Sequence, residues 1–94
     1  ITPASQTVYR EAARSGILAT LAEAGAVVTP PTCGACGGGS MGLLGPDETC
    51  ITATTRNFKG RMGDPSARIY MGSPATVAAS AIRGSITDPR EFLN

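Results

Sequence analysis

Between Pro30-Pro31 and Gly45 the chain runs through Cys33-Gly34-Ala35-Cys36-Gly37-Gly38-Gly39 and on to Gly42, a glycine-rich stretch with little intrinsic secondary structure. The two prolines before it can neither donate to a β-ladder nor continue a helix. Regular elements therefore have to form on either side of a loop that carries two thiols. Cys33 and Cys36 are close enough in sequence to share one metal ion or one iron-sulfur cluster, or to bond each other. The glycines after Cys36 favour the cluster, because unhindered backbone N–H groups can point at cluster sulfurs. A thioredoxin-type pair would instead open a well-formed helix, for which this segment is too rich in glycine. Half a zinc site, a redox disulfide and unligated thiols remain as alternatives, since CxxC alone is a weak signal.

At 94 residues the chain is one domain at most, or a fragment of one, and buries only about 60–65% of its unfolded surface. With two Tyr, two Phe and no Trp, the core has to be packed by Ala, Val, Ile and Leu. Such small side chains suit helices laid closely on a sheet. The absence of His excludes His-based acid/base catalysis, a Cys-His dyad and a mixed Cys/His zinc site built from this chain alone. Three cysteines, two of them close together, fit metal or redox chemistry in a reducing compartment, so the expected location is the cytoplasm. A net charge of +1 without blocks of like charge argues against nucleic acid or a membrane surface as partner. No apolar run approaches a membrane span. The chain does not begin with Met, and Ile1 stands directly before a helix start, so a piece of a longer chain is expected.

Thr2 is read as the cap of a first helix beginning at Pro3 and ending at Ser15-Gly16. A second helix begins near Ile17 and closes at Gly25. Ala26-Val27-Val28-Thr29 then reads as a short buried strand, which places the cysteine loop at a strand's C-terminal end, where ligands sit in open α/β sheets. Pro46-Asp47-Glu48 reads as a turn, Cys50–Thr54 and Arg68–Met71 as strands, and Ser73-Pro74 as the capped start of a helix that stops at Gly84. Helices alternating with short apolar strands imply an α/β domain, a three-layer α/β/α sandwich with a small, largely parallel sheet.

Arg56-Asn57-Phe58-Lys59-Gly60-Arg61 begins twenty residues after Cys36. Its two guanidinium groups have no nearby carboxylate in sequence before Asp64, and Gly60 lets the loop turn so that both can meet one anion. Taken alone, the pair reads first as a solvated basic loop, and it is the neighbouring cysteine loop that turns the reading toward an anion site. Cys50, beside Ile51 in a strand pattern, is assigned to the core.

Four ordered motifs now resemble one family. They are Pro31-Thr32-Cys33-Gly34-Ala35-Cys36, Gly45-Pro46-Asp47-Glu48-Thr49-Cys50, Thr55-Arg56-Asn57-Phe58-Lys59-Gly60-Arg61-Met62-Gly63, and Ser73-Pro74-Ala75-Thr76-Val77-Ala78-Ala79-Ser80-Ala81. Together they are similar to the aconitase superfamily, nearest to its isopropylmalate dehydratase and homoaconitase branch, over nearly the whole chain. The resemblance implies that these 94 residues belong to the third α/β domain of a much longer chain and are inactive on their own. It also implies an iron-sulfur hydro-lyase that isomerises 2-isopropylmalate to 3-isopropylmalate by dehydration and rehydration in leucine biosynthesis. Homoaconitase, another aconitase-type dehydratase, a non-catalytic CxxC metal module and an inactive structural domain are the alternatives. By the same resemblance Cys33 and Cys36 are two of three cysteine ligands of a 4Fe-4S cluster, the third lying outside this chain. Arg56 and Arg61 bind the carboxylates of a di- or tricarboxylate substrate. A small subunit, the swivelling domain, is the expected partner. The catalytic base and acid belong to other parts of such proteins, so no catalytic residue is assigned here. Many relatives carry Asn where this chain has Thr55, a position at which only a hydroxyl is on offer.

Overall fold

The structure, a computed structural model, describes the whole chain except Gly37, Gly38, Ser40, Asn57 and Asn94. It contains two compact units, Ile1–Gly42 and Leu43–Asn94.

In the first unit, helix α1 spans Gln6–Arg14 and helix α2 spans Ile17–Glu23. The start of α1 corrects the reading from sequence: its cap is Ser5, not Thr2. Ser5 is extended, and its Oγ accepts from the Val8 N–H at 3.2 Å. Thr2 is engaged elsewhere, with its hydroxyl 2.9 Å from that of Thr29. The stops fall where glycine predicts them. Gly16 takes φ +83° after Ser15, and Gly25 takes φ +92° after Ala24. The Gly25 and Ala26 N–H groups donate to Ala22 O and Leu21 O, each at 3.0 Å, the paired bonds of a Schellman motif. The segment Ala26–Thr29 is a second correction. It is not a strand, and Val27 is 76% exposed. Beyond the Ala26 bond that closes α2, its backbone pairs with the first residue: the Ile1 amine donates to Val27 O at 2.8 Å and the Thr29 N–H to Ile1 O at 2.9 Å. A β-branched run becomes a strand only where a partner backbone and a covering face exist. The cysteine loop therefore follows an extended segment and not a strand end.

In the second unit, strands β1 (Thr49–Thr52) and β2 (Arg68–Met71) pair in parallel, from Thr49 opposite Arg68 to Thr52 opposite Met71. Both lie where the β-branched runs predict them. Before β1 the chain turns at Gly45–Glu48, with Pro46 second and Asp47 third at φ +61°, the sequence and backbone of a type II turn. Helix α3, Pro74–Arg83, is capped by Ser73 Oγ accepting from the Thr76 N–H at 3.1 Å and stopped by Gly84 at φ +80°. It packs on β1. The result is a mixed α/β arrangement around a two-stranded parallel sheet. Among the described residues the buried apolar side chains are Met62 and Ala79.

A 3-10 turn at Pro89–Phe92 was not foreseen, although Asp88-Pro89 carries the cap-then-proline signature. Asp88 accepts from the Arg90 N–H at 2.9 Å and from the Arg90 guanidinium at 2.6 Å. These bonds draw the Asp88 carboxyl down from 3.8 to about 2. A carboxyl that titrates lower when folded supplies its stabilisation above the unfolded value and loses it as the pH falls through the folded one. The Asp88–Arg90 clasp is therefore expected to loosen only between 3.8 and about 2. An NMR titration of the Asp88 carboxyl checks this, and a midpoint at 3.8 would mean the clasp is absent in solution.

The connection between β1 and β2 is anchored by a parallel bridge between Leu44 and Gly63. Leu44 N–H donates to Met62 O at 2.7 Å, and Asp64 N–H donates to Leu44 O at 3.0 Å. A Cβ on Gly63 would sit 2.5 Å from Leu44 O and 3.0 Å from Leu44 N, on a backbone at φ +125°. Gly63→Ala is expected to cost about 2–3 kcal/mol, combining left-handed strain with a backbone clash. Denaturant unfolding of the complete protein measures it. Wild-type stability would show that the Leu44 segment yields freely.

Candidate functional site

The residues singled out by sequence fall in both units. Cys33 and Cys36 lie in the first, and Cys50, Arg56 and Arg61 in the second. Cys33 is exposed, Cys36 is half-buried, and both are free thiols. The turn between them needs glycine: Gly34 adopts φ +58°, and a Cβ there would lie 2.6 Å from the Thr2 hydroxyl. Gly34 N–H donates to Thr32 Oγ1 at 3.0 Å. The loop thus presents two soft donors three residues apart on a backbone shaped by local bonds. Among the described residues no third Cys, Asp or Glu joins them in a cluster able to hold a metal ion. That donor set suits half of a cluster site and not a complete one. Gly37 and Gly38, whose N–H groups the sequence reading directed at cluster sulfurs, lie outside the described residues.

Cys50 sits in β1, half-buried. Burial pushes its thiol up, against a weaker opposing pull from the positive charge of Arg61. It is a neutral thiol held by the fold.

Arg61 departs most from the bland reading. A residue of a solvated basic loop should be exposed, yet Arg61 is 5% exposed. Gly60, at φ +80°, turns the chain into it, and the Arg61 N–H donates to Phe58 O at 3.2 Å. Its Nη2 lies 3.0 Å from the Met62 thioether sulfur. Its Nε and Nη1 are buried, with no hydrogen-bond partner among the described residues. The described ion pairs, Arg14–Glu11, Arg83–Glu91 and Arg90–Asp88, do not include it. Asp64, the nearest carboxylate in sequence, accepts instead from Ser66 N–H at 2.9 Å and Ser66 Oγ at 2.7 Å, which lowers its pKa. A buried donor left unpaired costs about 1–3 kcal/mol, and more when charged. What such a guanidinium lacks is acceptors, and a carboxylate or phosphate is the chemistry that supplies them to a planar fork. Arg56, by contrast, is exposed; its carbonyl accepts weakly from Thr54 Oγ1 at 3.5 Å, and it joins no ion pair among the described residues. The neighbouring Asn57 lies outside the described residues.

The sequence profile of the aconitase family (aconitate hydratase) matches residues 1–84. The chain belongs to the aconitase family. Its similar relatives include the 3-isopropylmalate dehydratase large subunit of Mycolicibacterium smegmatis, 63% identical over 93 residues. That match covers 99% of this chain and 22% of the relative. The large subunit of Aliarcobacter butzleri is 58% identical over 92 residues, covering 98% of this chain and 22% of the relative. Large subunit 1 of Methanopyrus kandleri is 52% identical over 93 residues, with 99% and 22% covered. This aconitase-family chain thus spans about a fifth of the length of the curated relatives it matches. Among its described residues no helix is long and apolar enough to cross a membrane.

Sequence reasoning had no means of finding Met62 as a neighbour of the guanidinium. Met62 stands in the Thr55–Gly63 motif, but nothing in the spacing marks it as a partner of Arg61, and the folded turn is what brings its sulfur to Nη2.

Proposed function

We propose that this chain is part of the large subunit of a cytoplasmic iron-sulfur hydro-lyase that isomerises 2-isopropylmalate to 3-isopropylmalate. The observation that carries the reading is the buried Arg61 guanidinium, whose Nε and Nη1 have no partner among the described residues, inside a chain 52–63% identical to the named large subunits. Anionic substrates of the dicarboxylate class supply the acceptors this group lacks. Cys33 and Cys36 hold a 4Fe-4S cluster with a third cysteine from outside the chain; when bound, the cluster supplies a Lewis-acidic iron for removal and return of water.

The chain's own residues orient and hold. Removing a proton and a hydroxyl stereospecifically, and returning them the other way round, requires a substrate that cannot tumble freely. Arg61 meets one carboxylate with a planar fork in a water-poor setting, where a charge-assisted pair is stronger than at the surface. Arg56, on the exposed side of the same loop, holds a second. The proton-transfer residues belong to other parts of the complete enzyme, and a small subunit completes it. The two-stranded sheet belongs to a three-layer α/β/α sandwich finished by the rest of the longer chain.

The test uses the full-length chain, co-expressed with its small subunit and reconstituted anaerobically with iron and sulfide. Interconversion of 2- and 3-isopropylmalate is expected, with none from the 94-residue chain alone. Turnover of homocitrate-type tricarboxylates and not of isopropylmalates would move the protein to the homoaconitase branch, and turnover by the isolated chain would sink the reading.

A further inference from the structure

Arg61 is buried but not held by any carboxylate among the described residues, so something else has to fix where its guanidinium points. The contact that exists is Nη2 to Met62 Sδ at 3.0 Å. We propose that Met62 is a positioning residue, whose thioether aims the Arg61 guanidinium at an incoming carboxylate without consuming its charge. The proposal rests on the reading of Arg61 given above.

The chemistry of the acceptor is what matters. A carboxylate in this place would hold Arg61 firmly, but it would also neutralise it and occupy a two-pronged face. A thioether sulfur is an uncharged, weak acceptor. Nη2 carries two hydrogens, and Met62 engages one. The other, with a neighbouring N–H, leaves one complete fork for a carboxylate. Met62 is itself well fixed. It is 4% exposed, its carbonyl accepts from Leu44 N–H at 2.7 Å, and the next residue, Gly63, has no room for a side chain beside Leu44. The sulfur is thus mounted on a pinned backbone. Cys50, the other sulfur whose electrostatics couple to Arg61, is kept neutral by burial and leaves the positive charge unopposed.

The test is a double-mutant cycle in the complete, cluster-loaded enzyme. Met62→Leu keeps volume and apolar packing while removing the sulfur. It is expected to lower kcat/KM about 5- to 30-fold, the range of a modest contact to a charged group, with cluster absorbance and Tm close to wild type. In an Arg61→Lys background the same change should cost less than about 2-fold, because the group that Met62 aims is gone. Met62→Gln, whose side-chain carbonyl replaces the acceptor, should recover most of the loss. Wild-type activity in Met62→Leu, or an equal loss in both backgrounds, would overturn the positioning role and leave Arg61 untouched. Full activity in Arg61→Lys alone would instead overturn the underlying reading of Arg61.

Discussion

Cys33→Ser and Cys36→Ser are each expected to abolish the iron-sulfur absorption and the hydro-lyase activity of the reconstituted full-length enzyme, while Cys50→Ser keeps both. The first two thiols are free and stand three residues apart on a loop, one exposed and the other half-buried, open to a ligand from outside the chain. On the reading proposed above they are two of three ligands, and no third donor clusters with them among the described residues. Loss of one therefore leaves at most two protein thiolates, too few to retain the cluster. Cys50 differs in both respects that govern reactivity. It is a strand residue, and burial pushes its thiol up, away from the thiolate that binds metal. Anaerobic reconstitution followed by visible absorption and iron analysis separates the three variants. A colourless Cys50→Ser protein beside a fully loaded Cys36→Ser protein would reverse the assignment.

Substitution at Arg61 is expected to split stability from activity. Arg61→Lys retains the charge but cannot reproduce a two-pronged contact, and Arg61→Met removes both. Losing a charge-assisted contact in a catalytic site costs about 2–4 kcal/mol of transition-state binding, or about 30- to 1000-fold in kcat/KM, with lysine restoring only part. The substrate-free protein should respond in the other direction. The Arg61 Nε and Nη1 are buried and have no partner among the described residues, so Arg61→Met removes an uncompensated burden and should stabilise the fold by about 1–3 kcal/mol. Arg56, exposed, is expected to show the activity loss with a stability change within about 0.5 kcal/mol. Denaturant unfolding beside steady-state kinetics, at equal cluster content, decides. Full activity in both Arg56→Lys and Arg61→Lys would return these residues to a solvated loop, and a sharp loss of stability in Arg61→Met would show that the guanidinium is paired after all.

The punctuation of this chain was legible because it is local. Ser73-Pro74 and Gly84 bound α3, Gly16 and Gly25 separate and close the first two helices, and the β-branched runs at Cys50 and Ile69 are strands. Each follows from backbone preferences of one or two residues. Errors arose where the outcome depends on residues distant in sequence. Thr2 has cap chemistry as good as that of Ser5, but Thr29, far along the chain, claims its hydroxyl. Val27 and Val28 have strand propensity, but the partner their segment finds is the single residue Ile1 and not a second strand. The candidate site divides in the same way. Spacing and glycine content marked Cys33, Cys36, Arg56 and Arg61, whereas the burial of Arg61 and its sulfur neighbour come from a turn held by Leu44.

Met62 is one of only two buried apolar side chains among the described residues, and it touches the guanidinium read here as the anion receptor. In most proteins the packing that holds the fold and the atoms that meet the ligand are separate populations, free to drift independently. Here they share a side chain. A substitution that relieves or tightens the interior at this corner also retunes the receptor, and one selected for a new substrate also reshapes the interior. Adaptation at this corner should therefore come in coupled changes at Leu44, Arg61, Met62 and Gly63, with single replacements there tolerated least.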